Sequence, residues 1–406
     1  MMNKVIQDNP KVEFCKKCVM SNQKVLPSVL TEDTKDHSNK SNIPFKNSIC
    51  NACTEVDKKY NQIDWKEREF KFKKLLEKYR SRNGSYDCIV PGSGGKDSVF
   101  QAQILKEKYQ MNPLTFTFSP HIYTDVGMKN FHNWPLKADV QNYLFTPSGR
   151  VHSTLTSLAF KNLLHPFQPF IFGQRNMVAH IAKKFKIPLI FQGEPQSERG
   201  GMEDEIDQFE MLPRYWSRKK DQKILMSGLE LEELEKKHKI TKHDIEYYLP
   251  MTEEEILNEG IRLVYLGYFE NLRPQENYYV AAKLTDFKSN DRRTEQTYSK
   301  YNSIDDKIDP FHYYTAYVKF GYGRCTEEAS IEIRERYINR DEAVKLVHKY
   351  DHEFPSRYFE EFLNYIKISE NEFYDKLDEF RPPHLWEKVG NDPTHCKNWK
   401  LKIKVK

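Results

Sequence analysis

The residues best able to do chemistry stand together at Pro91-Gly-Ser-Gly-Gly-Lys-Asp-Ser98, where the apolar run Ile89-Val90 breaks into a glycine-rich turn and then a helix. Gly92, Gly94 and Gly95 let the backbone approach a phosphate closely. Ser93, Ser98 and the free N–H groups of the helix start supply donors along the positive end of the helix dipole. The common phosphate loop is a different pattern, with four residues between its glycines and a Lys followed by Ser or Thr; here Asp97 follows Lys96. A carboxylate beside a phosphate cradle makes sense if it helps hold Mg²⁺, which neutralises phosphate oxygens. Lys96 would neutralise phosphate directly. The competing reading is a strand-to-helix turn that binds nothing.

A second constellation precedes the loop. Cys15-Lys-Lys-Cys18 and Cys50-Asn-Ala-Cys53 are two turns of the type that bring four thiolates to one tetrahedral centre. The 31 residues between the pairs exceed the usual spacing, and a polar loop at Thr31–Asn42 accounts for the excess. Structural zinc is the reading of this spacing, with an iron–sulfur cluster as its main competitor because it uses the same thiolates. Zinc would staple a knuckle with too few apolar residues to fold alone. Cys88, Cys325 and Cys396 stand apart and read as incidental thiols.

The elements around these groups alternate. A helix capped by Asp64, with Glu67 reaching back, carries Phe72, Leu75, Leu76 and Tyr79 on one side and ends at Asn83-Gly84. A strand at 87–91 is followed by a helix from about 97, strands at Leu114–Phe118 and Val140–Phe145, and a helix near 151–164. A helix bearing Val178, Ile181, Ala182 and Phe185 then runs into the strand Pro188–Gln192. Such alternation predicts an α/β fold with a parallel, doubly wound sheet, whose ligands sit at the carboxyl ends of the strands. Gly193 and Glu194 fall at one such end, and Glu194 is a candidate metal or ribose contact, with a surface carboxylate as its alternative. Gly173, Gln174 and Arg175 are placed at a helix start, where they would cradle a phosphate or a sugar carboxylate. Past residue 200 the signals are helical, with capping-box spacings at Thr252/Glu255, Asn339/Glu342 and Ser369/Glu372. Three regions follow: a knuckle at 1–62, an α/β domain at 63–200 and a mainly helical region at 201–406.

Composition narrows the class. The balance of 64 basic and 59 acidic residues, net +5, is too mild to argue for nucleic acid. The first twenty residues lack a signal-peptide core and no apolar run approaches a membrane span, so a cytoplasmic location with reduced cysteines is expected.

The segment Ser93–Ser98 resembles the PP-loop of the ATP pyrophosphatases, which split ATP between its α and β phosphates. The chain as a whole resembles the N-acetyl sugar amidotransferases of surface-polysaccharide and flagellin-sugar biosynthesis, the group that includes WbpG and PseA. That likeness rests on Phe14–Met20, Cys50–Cys53, the loop, Pro166–Gln174, Pro188–Glu194, Pro274-Gln-Glu-Asn-Tyr-Tyr279, Thr297–Tyr301, Asp305-Asp-Lys-Ile-Asp309 and Phe311–Tyr314. The long loop between the cysteine pairs departs from the family pattern. The resemblance implies a PP-loop fold that uses ATP and Mg²⁺ to adenylate the acetamido oxygen of a nucleotide-linked sugar, which ammonia then replaces to give an acetamidino group. Catalysis would fall to Asp97, Lys96 and Glu194. Thr117, Phe118 and Ser119 would pass backbone groups to adenine, Lys300 and Arg324 would anchor an anionic nucleotide sugar, and His312 would shuttle a proton. It implies as partners a glutaminase subunit and a cyclase-like barrel that deliver ammonia. A PP-loop enzyme that thiolates tRNA is the alternative.

Overall fold

The computed structural model describes residues 11–24, 42–193, 195–201, 207–392 and 397–406; most of the polar loop, Glu194 and Cys396 lie outside them. A hairpin, Phe45–Lys46 with Ile49–Cys50, leads into helix α1 (Asn51–Asn61). Helix α2 (Trp65–Tyr79) starts where expected, because the Asp64 carboxylate accepts the N–H groups of Lys66 and Glu67 at 2.9 and 3.1 Å. It stops at Arg80, ahead of Asn83-Gly84.

The core is a parallel sheet of five strands among the described residues: β1 (Cys88–Pro91), β2 (Pro113–Phe118), β3 (Gln141–Phe145), β4 (Leu189–Gln192) and β5 (Arg262–Tyr265). Their spatial order is β5-β4-β1-β2-β3, so the chain winds outward from β1 in both directions. The sheet reverses between β1 and β4, and ligand crevices form at the carboxyl ends there. The doubly wound expectation holds. The α/β layer does not close at residue 200, however, because its fifth strand comes from 262–265. Four residues, Arg262-Leu-Val-Tyr265, inside a helical region are too few to carry a period that marks them as a strand.

Both faces are covered, as a parallel sheet requires. Alternation along the strands divides the side chains: Cys88, Val90, Leu189, Phe191 and Val264 pack under α2, α3 (Lys96–Gln103) and α4 (Asp125–Ala138). Ile89, Leu114, Phe116, Ile190 and Leu263 pack under α5 (Gly149–Leu163) and α6 (Gln168–Phe185). Helix α4 supplies the crossover between β2 and β3, although Pro135 inside it reads as a breaker. Helix α7 (Pro274–Thr285) lies against α3.

The C-terminal region is helical: α8 (Asp309–Phe320), α9 (Arg324–Arg334), α10 (Arg340–Tyr350), α11 (Phe359–Ile366) and α12 (Glu370–Glu379) precede a hairpin of Trp386–Lys388 and Trp399–Leu401. Capping boxes form at Thr252/Glu255 and Asn339/Glu342, and Ser369 caps α12. Helix α9 has glycine at its N-cap, and Asp351 of another segment performs the cap, accepting Gly323 N–H at 2.8 Å, Thr326 N–H at 3.0 Å and the Thr326 hydroxyl at 2.7 Å. Among the described residues no helix is long and apolar enough to cross a membrane.

Burial outweighs those bonds and pushes the Asp351 carboxyl up to about 6. The folded state then binds a proton that the unfolded chain, near 3.8, has already lost. This contribution is present below the lower value and is lost as pH rises through about 6, a swing of about 3 kcal/mol. Urea midpoints at pH 7 and pH 4.5 should differ less in Asp351→Asn than in the unmutated chain, and an unchanged difference would contradict the cap's titration.

Candidate functional site

The glycine-rich loop leaves β1 at the switch point. Gly92 N–H donates to the Phe116 carbonyl at 2.8 Å, and the Thr117 hydroxyl donates to the Gly92 carbonyl at 2.6 Å, so β2 fastens the loop's first residue. A side chain cannot replace the hydrogen of Gly92, since a Cβ there would stand 2.1 Å from that of Ser98. Gly94 has φ +79° and approaches the backbone of Phe131 so closely that a Cβ would lie 2.8 Å from its Cα. Gly95 is the N-cap of α3 and offers no capping side chain, leaving the first-turn N–H groups for a ligand. A loop packed this closely, leading into a helix N-terminus with no capping side chain, fits the phosphates of ATP.

Lys96 and Asp97 stand at the mouth. The Lys96 ammonium is 2.5 Å from Asp97 Oδ2 and 5.9 Å from the centre of the Tyr301 ring. Asn277 Nδ2 donates to Asp97 Oδ1 at 2.9 Å. The Asp97 side chain keeps 40% of its surface exposed, enough to face an incoming cation. Both residues open onto a cleft of about 180 Å³, whose far wall is Tyr301 with Glu327, Glu328 and Glu332. Burial, with Glu328 nearby, raises the Glu332 carboxyl. Glu335, deeper on the same wall, accepts the Tyr60 hydroxyl at 2.6 Å and Arg273 Nε at 3.2 Å, so α1 braces this side.

The structure brings some expected residues to this place and not others. Gly193, at the end of β4, faces Gln101 of α3, with a Cβ there 3.2 Å from its Nε2. Thr117 and Phe118 are buried at the end of β2, and Ser119 N–H pairs with the Phe145 carbonyl at 2.9 Å. Gly173, Gln174 and Arg175 are not at a helix start: α6 begins at Gln168, so their N–H groups lie within the helix. Gly173 instead makes room for the Phe118 ring, which a Cβ would meet at 2.2 Å. Lys300 lies on the surface and donates to the Asp291 carbonyl at 3.0 Å. His312 stacks on His165 and Phe167, and burial lowers it to about 4, which keeps it neutral near pH 7. Arg324 is wholly buried: Nε donates to Glu328 at 2.9 Å, Nη2 to the Asn302 carbonyl, and Nη1 lies 3.7 Å from Asp309. It shapes the cleft wall from behind, out of reach of an anion in the cleft.

Two contributors carried no signal of their own. Asn277 reaches Asp97 from a helix 180 positions later. Asp305 lies beside Ser93, and burial raises its carboxyl more than Ser93 pulls it down. Both lie in blocks named above for family likeness alone, and only the tertiary fold reveals what they touch.

The four cysteines converge as their spacing predicts. Their Sγ atoms lie within 4.8 Å of one another and all four residues are buried, the one such cluster among the described residues. Cys15 and Cys53 stand 3.9 Å apart, Cys18 and Cys50 3.7 Å. Cys15 Sγ also faces the N–H groups of Lys17, Cys18 and Cys50 at 3.3 to 3.5 Å, which stabilise a thiolate. This donor set can bind a metal.

Comparison with known proteins bears most on the far wall. Residues 295–406 match the model of the LPS biosynthesis protein WbpG-like C-terminal domain. Tyr301, Glu327, Glu328 and Glu332 of the cleft lie within these matched residues. An uncharacterized protein of Methanocaldococcus jannaschii is 48% identical over 40 residues, which span 10% of this chain and only 14% of that relative. Among solved structures, the U34-tRNA thiolase NcsA from Methanococcus maripaludis, with its [4Fe-4S] cluster, aligns over 82% of this chain and 88% of its own at 12% identity. The TM-score of 0.29 is too low to stand for a shared overall fold.

Elemental analysis of the purified protein should find metal bound in proportion to chain. Cys50→Ser should lower that content and reduce the melting temperature, because structural sites of this kind contribute directly to folding. Full metal retention in Cys50→Ser would remove these thiolates from the site.

Proposed function

We propose that this chain is an ATP-dependent amidotransferase that acts on an N-acetylated sugar in surface-polysaccharide biosynthesis. One observation carries the reading: Lys96 and Asp97, which open α3 directly after the glycine-rich loop, share one cleft with residues of the WbpG-like C-terminal match. Phosphate chemistry lies on one side and a domain of lipopolysaccharide-biosynthesis type on the other.

The chemistry follows from what each wall offers. The N-terminus of α3 and the loop hold the β and γ phosphates, and Lys96 neutralises the charge that collects on them. Mg²⁺, held by Asp97 together with phosphate oxygens, would supply further charge neutralisation. The sugar's acetamido oxygen then attacks the α phosphorus; the new O–P bond forms as the α–β bridge breaks and pyrophosphate leaves. An amide oxygen is a poor leaving group, but an O-adenylyl imidate releases AMP readily when ammonia adds to the same carbon. Loss of a proton and of AMP leaves the acetamidino group. Tyr301, stacked on Tyr278 at 4.4 Å, offers a flat apolar face beside Lys96 for the acceptor.

Zinc is our choice for the thiolate site. With bonds of about 2.3 Å, a tetrahedral ion spaces its sulfurs about 3.8 Å apart, close to the 3.9 and 3.7 Å of the two pairs. As the source of ammonia we propose a separate glutaminase with a cyclase-like barrel. Co-purification that recovers no glutaminase, together with full glutamine-dependent turnover by this chain alone, would dispose of that partnership.

With ATP, Mg²⁺, an ammonium salt and the correct N-acetyl sugar, mass spectrometry should show AMP, pyrophosphate and a product lighter by about one mass unit, as oxygen gives way to NH. ATP cleavage that responds only to RNA would instead support a tRNA-modifying enzyme. Asp97→Asn should slow AMP formation by about 10²-fold or more with the circular dichroism unchanged; undiminished turnover would take Asp97 out of the chemistry.

A further inference from the structure

Asp97 presents its two oxygens to partners of different kinds. Oδ2 meets the Lys96 ammonium, carried on a long stem beside the open cleft. Oδ1 meets the amide of Asn277, which is 1% exposed and fixed in the interface between α7 and α3. One turn further along α7, Ala281 is fully buried in the cluster that holds Val99 and Ala102 of α3, so the two helices are locked together just behind the carboxylate.

The orientation of the amide is set by its neighbour. Turned the other way, Asn277 would point its oxygen at a carboxylate oxygen, so Nδ2 must face Asp97. Its own Oδ1 is buried without a hydrogen-bond partner. Such an atom carries a desolvation cost that an apolar side chain of similar size would avoid. What the amide provides in return is the bond to Asp97.

We propose that Asn277 is a positioning residue: it holds Asp97 by Oδ1 so that Oδ2 faces the cleft as the oxygen that binds a divalent cation. This rests on the reading of Asp97 as a metal ligand at the ATP site. Lys96 marks the place, because its ammonium already sits where a cation meets Oδ2. With Oδ1 held by this buried amide, the carboxylate stays turned whichever cation meets Oδ2.

The test measures affinity, not turnover. Binding of α,β-methylene ATP is followed by calorimetry with and without Mn²⁺ for the unmutated chain, Asn277→Ala, the space-filling Asn277→Leu, Asp97→Ala and the Asp97→Ala/Asn277→Leu pair, with melting temperatures alongside. The unmutated chain should bind more tightly with Mn²⁺. Asn277→Leu should lose about 10-fold or more of the metal-dependent affinity while metal-free affinity stays within about twofold. The double variant should be no worse than Asp97→Ala. Equal losses with and without metal, no loss, or a further loss on top of Asp97→Ala would overturn the proposal. If the unmutated chain binds no better with Mn²⁺, the metal reading of Asp97 fails first and takes this inference with it.

Discussion

A guanidinium sealed from water must find all of its opposing charge and acceptors within the protein, and Arg324 is in that position. Its partners come from three pieces of chain: Glu328 one turn along α9, the carbonyl of Asn302 in the preceding loop, and Asp309 at the start of α8. Removing the Glu328 carboxylate would leave buried charge uncompensated, which costs about 3 to 5 kcal/mol. Glu328 is fixed again from the other side by the Thr297 hydroxyl. The far wall of the cleft is therefore set by a charge cluster behind it.

The same loop continues to the phosphate side. Asp305 lies beside Ser93, and its Cα stands where a Cβ on Gly127 would come within 2.4 Å. Asp306 accepts the main-chain N–H of His121 at 2.8 Å and that of Ile308 at 2.9 Å, and it pairs with the His121 ring at 2.7 Å. Thr124, which caps α4, donates its hydroxyl to the Ile304 carbonyl. Residues 302–309 thus link the buried arginine to the carboxyl edge of the sheet, so the two walls of the cleft are held in register.

What could be read from the sequence was what local spacing determines. The glycine-rich loop, the cysteine pairs and the caps at Asp64, Thr252 and Asn339 each act within a few residues, and so does their signal. Strand β5 escaped because burial on both faces erases alternation from so short a run. The start of α6 was misplaced although Pro169 stands in its first turn, a position that proline favours and that would have located it. Arg324 and Lys300 looked alike as free cations. Only packing separates a residue with no surface from one that is wholly outside, and packing also brought Asn277 to Asp97.

The cysteine knuckle has a consequence for the order of folding. Its four ligands lie in the first 53 residues, but its apolar packing includes Tyr322 and Ile333, and Arg340 donates to the carbonyls of Cys15 and Cys18 at 3.4 and 3.2 Å. On the ribosome the thiolates emerge early, while their enclosing surface arrives some three hundred residues later. At about 5 to 20 residues per second that interval lasts tens of seconds. During it the nascent knuckle has only its own turns and whatever metal it captures to hold it together, so metal supply during synthesis bears on how many chains complete the fold.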